Sequence, residues 1–129
     1  MKEKRMNMML VDDDVITTSM NEILIKKAFP DVGLYVFNHP VKALQMLQSR
    51  DTQIDLILLD YNMPEMDGLA FLEAMDNIPG QNPLVILLSS DDLRGIEHIN
   101  NHPKVLDYWI KPLGINALRV FLEEFFPVH

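Results

Sequence analysis

The chain has 129 residues, a formal net charge of −8 and no cysteine, and 48% of its residues are hydrophobic. That length suits one domain with a sizeable core, and the missing cysteines exclude a disulfide framework and a thiolate metal site. The negative balance argues against nucleic acid or an anionic membrane surface as a partner.

Apolar runs and helical patterns alternate from end to end. NMMLV (7–11) reads as the first strand, and no apolar stretch before the three aspartates that follow it is long enough for a secretory signal. The first helix follows, with Asp14 as N-cap, Pro30 beyond its end, and Ile16, Met20, Ile23, Leu24 and Ala28 at helical spacing as its expected core face. GLYVF (33–37) is the second strand, and residues 40–48 form a short helix with Pro40 in its first turn. DLILL (55–59) is the third strand and 69–75 the third helix. LVILL (84–88) is the fourth strand, and 93–100 is a helix weakened by Gly95. VLDYWI (105–110) is the fifth strand, with Asp107 marking an edge, and 115–126 is the last helix. In that helix Ile115, Leu118, Leu122 and Phe125 have core spacing, whereas Val120, Phe121 and Phe126 do not all fit the stripe. The longest apolar runs are too short to span a bilayer, so a soluble, cytoplasmic protein is expected. The last helix ends three residues before His129, so no output domain is expected in this chain.

Five strand–helix units predict an α/β fold: a parallel sheet with right-handed crossovers and helices on both faces. The first, third and fourth strands are almost wholly apolar, as doubly covered strands are. In such a sheet, sites form outside the carboxyl ends of the strands. Asp12 and Asp13 follow the first strand, Asp60 the third, Ser89 the fourth and Lys111 the fifth; the second ends in Asn-His-Pro, with nothing comparable. Carboxylates about 4 Å apart repel by roughly 4 kcal/mol per pair at an effective dielectric near 20, so Asp12, Asp13 and Asp60 call for a cation. Carboxylates, a backbone carbonyl and waters suit Mg²⁺, or Mn²⁺ in its place. Lys111 offers a positive charge and Ser89 a hydroxyl to a phosphoryl group, and Asp60 has the surroundings of a nucleophile facing a phosphoryl donor.

The set LVDDD, LLDYNMPEMDG, ILLSS and YWIKP, in this order, resembles the receiver domain of two-component response regulators over essentially the whole chain. It resembles the stand-alone kind typified by the chemotaxis response regulator. The resemblance implies a single receiver domain over 1–129 with a doubly wound five-stranded sheet of order 2-1-3-4-5 and five helices. It implies that Asp60 is the phosphoacceptor, that Asp12, Asp13, Asp60 and the main-chain carbonyl of Asn62 hold the metal, and that Ser89 and Lys111 contact the phosphoryl group. Tyr108 matches the aromatic switch position, coupled to Ser89. Asn62 and Asp91 flank the path of the water that ends the signal, and the Lys111–Pro112 bond is implied to be cis. Three departures stand out: Ser89 where threonine is commoner, Ser90 where alanine is usual, and KVLD before Tyr108 without the usual Gly-Ala pair.

The implied donor is a histidine kinase or histidine phosphotransfer protein, since none of the four histidines looks like a phosphodonor. The partner downstream is an unidentified protein, with neither nucleic acid nor membrane expected. Dimerisation through the face of the fourth helix, fifth strand and last helix is a further expectation. An aspartyl-phosphate phosphatase would share the Asp60 chemistry, but it would carry a second acid where Asn62 stands. An interaction module working without phosphorylation is the other alternative. His98 and His102 lie four apart, at the spacing of a helical metal pair, but no third ligand is near in sequence.

Overall fold

Strands β1 (Asn7–Val11), β3 (Leu56–Asp60) and β4 (Leu84–Ser89) form the middle of a five-stranded parallel sheet, with β2 (Gly33–Phe37) and β5 (Val105–Ile110) at its edges. The order is β2-β1-β3-β4-β5, as expected. This computed structural model describes residues 5–92 and 102–127. Four helices lie among the described residues: α1 (Val15–Ala28), α2 (Pro40–Ser49), α3 (Gly68–Asp76) and α4 (Ile115–Phe125). The helix expected over 93–100 lies outside them.

Side chains of a strand alternate between sheet faces, so a run apolar at every position supplies two cores. Met9, Ile57, Leu59 and Leu87 pack with Leu44 and Leu47 of α2 and Phe71, Leu72 and Met75 of α3. Met8, Leu10, Leu58, Ile86 and Leu88 pack on the opposite face with Ile25 of α1 and Leu118, Phe121 and Leu122 of α4. Phe71 has no exposed surface, and truncating it to alanine would cost about 3–5 kcal/mol.

Local chemistry sets the helix starts. The Asp14 side chain accepts from the N–H groups of Ile16 and Thr17, and Asp67 accepts from Ala70, which satisfies amides left over at each N-terminus. Gly68 is favoured by close approach. A Cβ there would lie 3.0 Å from Cδ1 and 3.1 Å from Cα of Tyr61, and its N–H donates to the Tyr61 carbonyl at 2.7 Å. The glycine of DYNMPEMDG thus closes the loop that follows Asp60.

Two expectations change, and a third feature falls where the sequence departs from the family. First, the core face of α1 is Thr18, Asn21 and Ile25, while Ile16 is 72%, Met20 60%, Ile23 67% and Leu24 41% exposed. Two stripes on this helix share the 3.6-residue period, and Thr18 is turned inward by bonds to the Val15 carbonyl and the Asn38 amide that periodicity does not reveal. Second, Phe121 is buried and Phe125 exposed on α4; the Phe121 ring meets Trp109 edge-on at 6.0 Å and stacks at 4.5 Å on Phe125. Third, β5 carries an irregularity: Val85 faces Val105 but Ile86 faces Asp107, so Leu106 is an extra residue in the register. This is the stretch that lacks the Gly-Ala pair. Asp107 lies on the edge, as expected, accepting from the Tyr108 amide and from Nε1 of Trp109.

Candidate functional site at the carboxyl ends of the strands

Asp60 and Ser89 are the last residues of β3 and β4 rather than the first beyond them, so the sheet itself fixes their direction. Asp12 follows β1 directly and is held at four points. Its N–H donates to the Phe37 carbonyl at 3.1 Å. Its own carbonyl accepts from Nδ2 of Asn38 at 2.9 Å. Oδ1 accepts from the Asp14 amide at 2.9 Å, and Oδ2 from Nζ of Lys111 at 2.9 Å.

Lys111 sits between two acids. Its Nζ is 2.9 Å from Oδ2 of Asp12 and 3.1 Å from Oδ1 of Asp60. The Lys111–Pro112 bond is cis, and the Lys111 amide donates to the Ser89 carbonyl at 2.8 Å. Asp12 and Asp60 are buried and Asp13 is exposed; carboxylate oxygens of all three lie within 4.8 Å of one another. Asn62 lies against the group, its N–H donating to Oδ1 of Asp60 at 3.4 Å.

Three carboxylates meet one ammonium here, and the electrostatics show the imbalance. Burial, then the charge of Asp12, push the Asp60 carboxyl up to about 6, against the opposing pull of Lys111. Burial alone would lower the Lys111 ammonium, but its hydrogen bond to Asp12 and the charges of Asp12 and Asp60 hold it above the usual lysine value. The donors are all oxygen, with an exposed carboxylate on the open side, and this set fits a hard divalent cation such as Mg²⁺. Asp12, Asp13 and Asp60 could hold it.

The hydroxyl of Ser89 accepts from the Asp91 amide at 3.1 Å and from Nδ2 of Asn62 at 3.4 Å. Asn62 and Asp91, singled out together from the sequence, therefore meet at one oxygen. The Asp91 bond is also the one a helix cap would make. Tyr108 and Trp109 point to opposite sheet faces: Tyr108 packs against the core beneath α2 and α3, Trp109 against that beneath α1 and α4. Burial, then Asp107, raise the Tyr108 phenol above its ordinary value. Tyr108 also lines a surface cavity of about 340 Å³ with Trp109, Ile110 and Ala117. Ser90 is exposed. Of the histidine pair, His98 lies outside the described residues. His102 has a structural place: Nδ1 accepts from the Lys104 amide at 3.2 Å, and Nε2 faces Asp76 at 2.9 Å.

One residue passed over in the sequence belongs here. Asn38, directly after β2, gives both amide protons to its surroundings: one to the Asp12 carbonyl and one to Oγ1 of Thr18 at 2.8 Å. The available signal was a short amide side chain at the end of the strand beside β1.

Residues 8–123 match the response regulator receiver domain family, and the chain belongs to it. It is 32% identical over 117 residues to the cyclic di-GMP phosphodiesterase response regulator RpfG of Xanthomonas campestris, covering 88% of this chain and 30% of that protein. The chain spans between about a quarter and a half of the length of curated relatives such as RpfG, DctR and ZraR. A response regulator receiver protein from Dyadobacter fermentans superposes with a TM-score of 0.78 at 30% identity, covering 95% of this chain and 99% of that one. The fold is also that of a chain in the CheX–CheY–BeF3–Mg²⁺ complex of Borrelia burgdorferi, with a TM-score of 0.75, 21% identity, and 94% and 89% of the two chains covered. Among the described residues no helix is long and apolar enough to cross a membrane.

Proposed function

We propose that this domain accepts a phosphoryl group on Asp60 from a phosphohistidine of a histidine kinase or histidine phosphotransfer protein, and that the modified domain changes its affinity for a downstream protein. One observation carries the reading: a buried carboxylate at a strand end, 3.1 Å from Nζ of Lys111 and grouped with Asp12 and Asp13. Bound Mg²⁺ would supply positive charge where negative charge develops on the phosphoryl oxygens. Asp12, Asp13, Asp60 and the Asn62 carbonyl would be its protein ligands, and Mn²⁺ would serve in its place.

Each remaining residue has a defined task. Asp60 attacks phosphorus and forms the acyl phosphate, while the P–N bond of the donor breaks and the imidazole leaves. The new group carries more charge and more acceptor oxygens than the carboxylate it replaces. Lys111 and Ser89 move toward it, and Tyr108 takes the space Ser89 leaves. Asn62 and Asp91 act on the water that later removes the group. The domain works in the cytoplasm and catalyses nothing beyond its own phosphorylation and dephosphorylation. A protein donor needs a landing surface beside Asp60, and the outer face of α1, with Val15, Ile16, Met20 and Ile23 exposed, starts next to Asp14.

The test is labelling by acetyl phosphate, which needs no partner. Wild type with Mg²⁺ should gain one phosphoryl group, while Asp60→Asn, or wild type in EDTA, should gain none. Unchanged labelling in either control would defeat the reading.

A further inference from the structure

We infer that Asn38 is a positioning residue for the metal site: it fixes the backbone of Asp12, and through it the direction of the Asp12 carboxylate. The inference rests on the reading of Asp12, Asp13 and Asp60 as a Mg²⁺ site.

Asp12 is 1% exposed, so its carbonyl has no ready substitute partner in bulk water, and a buried acceptor left unpaired is costly. The Asn38 amide supplies that partner at 2.9 Å. The amide is itself fixed, because its second proton goes to Oγ1 of Thr18 at 2.8 Å. Thr18 is 2% exposed, and its hydroxyl proton goes back to the Val15 carbonyl at 3.1 Å. The chain of bonds therefore runs from the first turn of α1, through Asn38 beyond β2, to the main chain of Asp12. The Phe37 carbonyl, one residue before Asn38, accepts from the N–H of Asp12. Both polar groups of the Asp12 backbone are thus gripped by adjacent residues of one segment, while its carboxylate oxygens face the Asp14 amide and Lys111. The backbone bonds fix where the Cα–Cβ bond of Asp12 starts and points, and the carboxylate placed from there is held by the Asp14 amide and Lys111. Asn38 touches neither metal nor phosphoryl group, so its effect passes entirely through Asp12. Residues that orient metal ligands from behind are commonly worth 10–100-fold in metal affinity.

The experiment is calorimetric titration of Mg²⁺ into wild type, Asn38→Ala, Thr18→Val and Ile25→Val, with thermal unfolding of each without metal. Asn38→Ala should bind Mg²⁺ about tenfold more weakly, and Thr18→Val should shift in the same direction by a smaller factor. Ile25→Val, a core change on the same helix, should lower thermal stability and leave the affinity within twofold of wild type. If Asn38→Ala does not fold, Thr18→Val against Ile25→Val decides by the same criterion. Affinity within twofold of wild type in Asn38→Ala overturns the inference, as does an equal loss in Ile25→Val, which would make the effect general destabilisation. A wild type that binds no Mg²⁺ would instead overturn the metal site on which the inference rests.

Discussion

Asp60→Asn should stabilise the metal-free domain at neutral pH. The Asp60 carboxyl stands at about 6 in the folded chain against 3.8 ordinarily, through burial first and Asp12 second. A raised acid is held in its protonated form by the fold, so this position costs nothing below about pH 3.8. The cost grows as pH rises and is complete above about pH 6. At 1.36 kcal/mol per pH unit, the step amounts to about 3 kcal/mol. Asparagine keeps the shape without the charge. The pull of Lys111 is already contained in the value of about 6, Lys111 retains Asp12 at 2.9 Å, and what lowers the gain is the imperfect replacement of a carboxyl by an amide. A net gain of about 1–3 kcal/mol at pH 7 follows, or roughly 3–10 °C in Tm for a domain of this size. Thermal unfolding in EDTA at pH 4, 5.5 and 7 is the assay. The gap between variant and wild type should open from near zero at pH 4 to its full value at pH 7. Saturating Mg²⁺ should narrow it by stabilising wild type through mass action. A variant less stable than wild type at pH 7 in EDTA, or a gap that ignores pH, would refute the electrostatic account.

The outer face of α1 gives a second prediction: Ile16→Ser with Met20→Ser should leave folding within about 0.5 kcal/mol and acetyl phosphate labelling unchanged, yet slow transfer from a phosphohistidine protein at least tenfold. Equal slowing with both donors would mean that the site, and not docking, was damaged. Asn62→Ala and Asp91→Ala, whose groups meet at the Ser89 hydroxyl, should change the lifetime of the phosphoryl group, followed by loss of label, while shifting Tm by only a few degrees. Dimerisation through β5 and α4 would use the exposed Ile110, Val120 and Phe125. Val120→Ser should therefore abolish any self-association that beryllofluoride and Mg²⁺ induce in sedimentation, whereas identical sedimentation of variant and wild type would remove this face from consideration.

What the sequence made legible follows from how far each signal reaches. A strand buried on both faces is apolar at every position, so LILL and LVILL declare themselves, and the fold order follows from their alternation with helices. The site was legible for a related reason: Asp12, Asp60 and Ser89 end or directly follow such a run, and a polar group there interrupts an otherwise apolar pattern. Asn38 breaks no pattern; its role depends on a backbone carbonyl 26 residues away, which no local rule reports. The extra residue at Leu106 is a property of the pairing between two strands, not of either alone. On α4, Phe121 and Phe125 are one turn apart and equally apolar, and what separates them is the packing of Phe121 against Trp109 and the core below it.

The misread face of α1 has a physical logic that ties the fold to the site. Every central strand runs apolar and then turns polar at the same end: Val11 before Asp12, Leu59 before Asp60, Leu88 before Ser89. Helix α1 begins at that end, capped by Asp14, and runs back along the sheet to Phe29 near the start of β2. Its inward face follows the same gradient in reverse, from Thr18 beside Asn38, through Asn21, to Ile25 in the lower core. An apolar residue at position 18 would fill the space but leave the Asn38 amide without its acceptor, and with it the grip on Asp12. The polar layer at the strand ends therefore dictates which side of α1 faces in, and the apolar residues the sequence supplies in excess are turned outward; under the proposed phosphotransfer, those of the first turn, Val15 and Ile16, offer a surface to the donor.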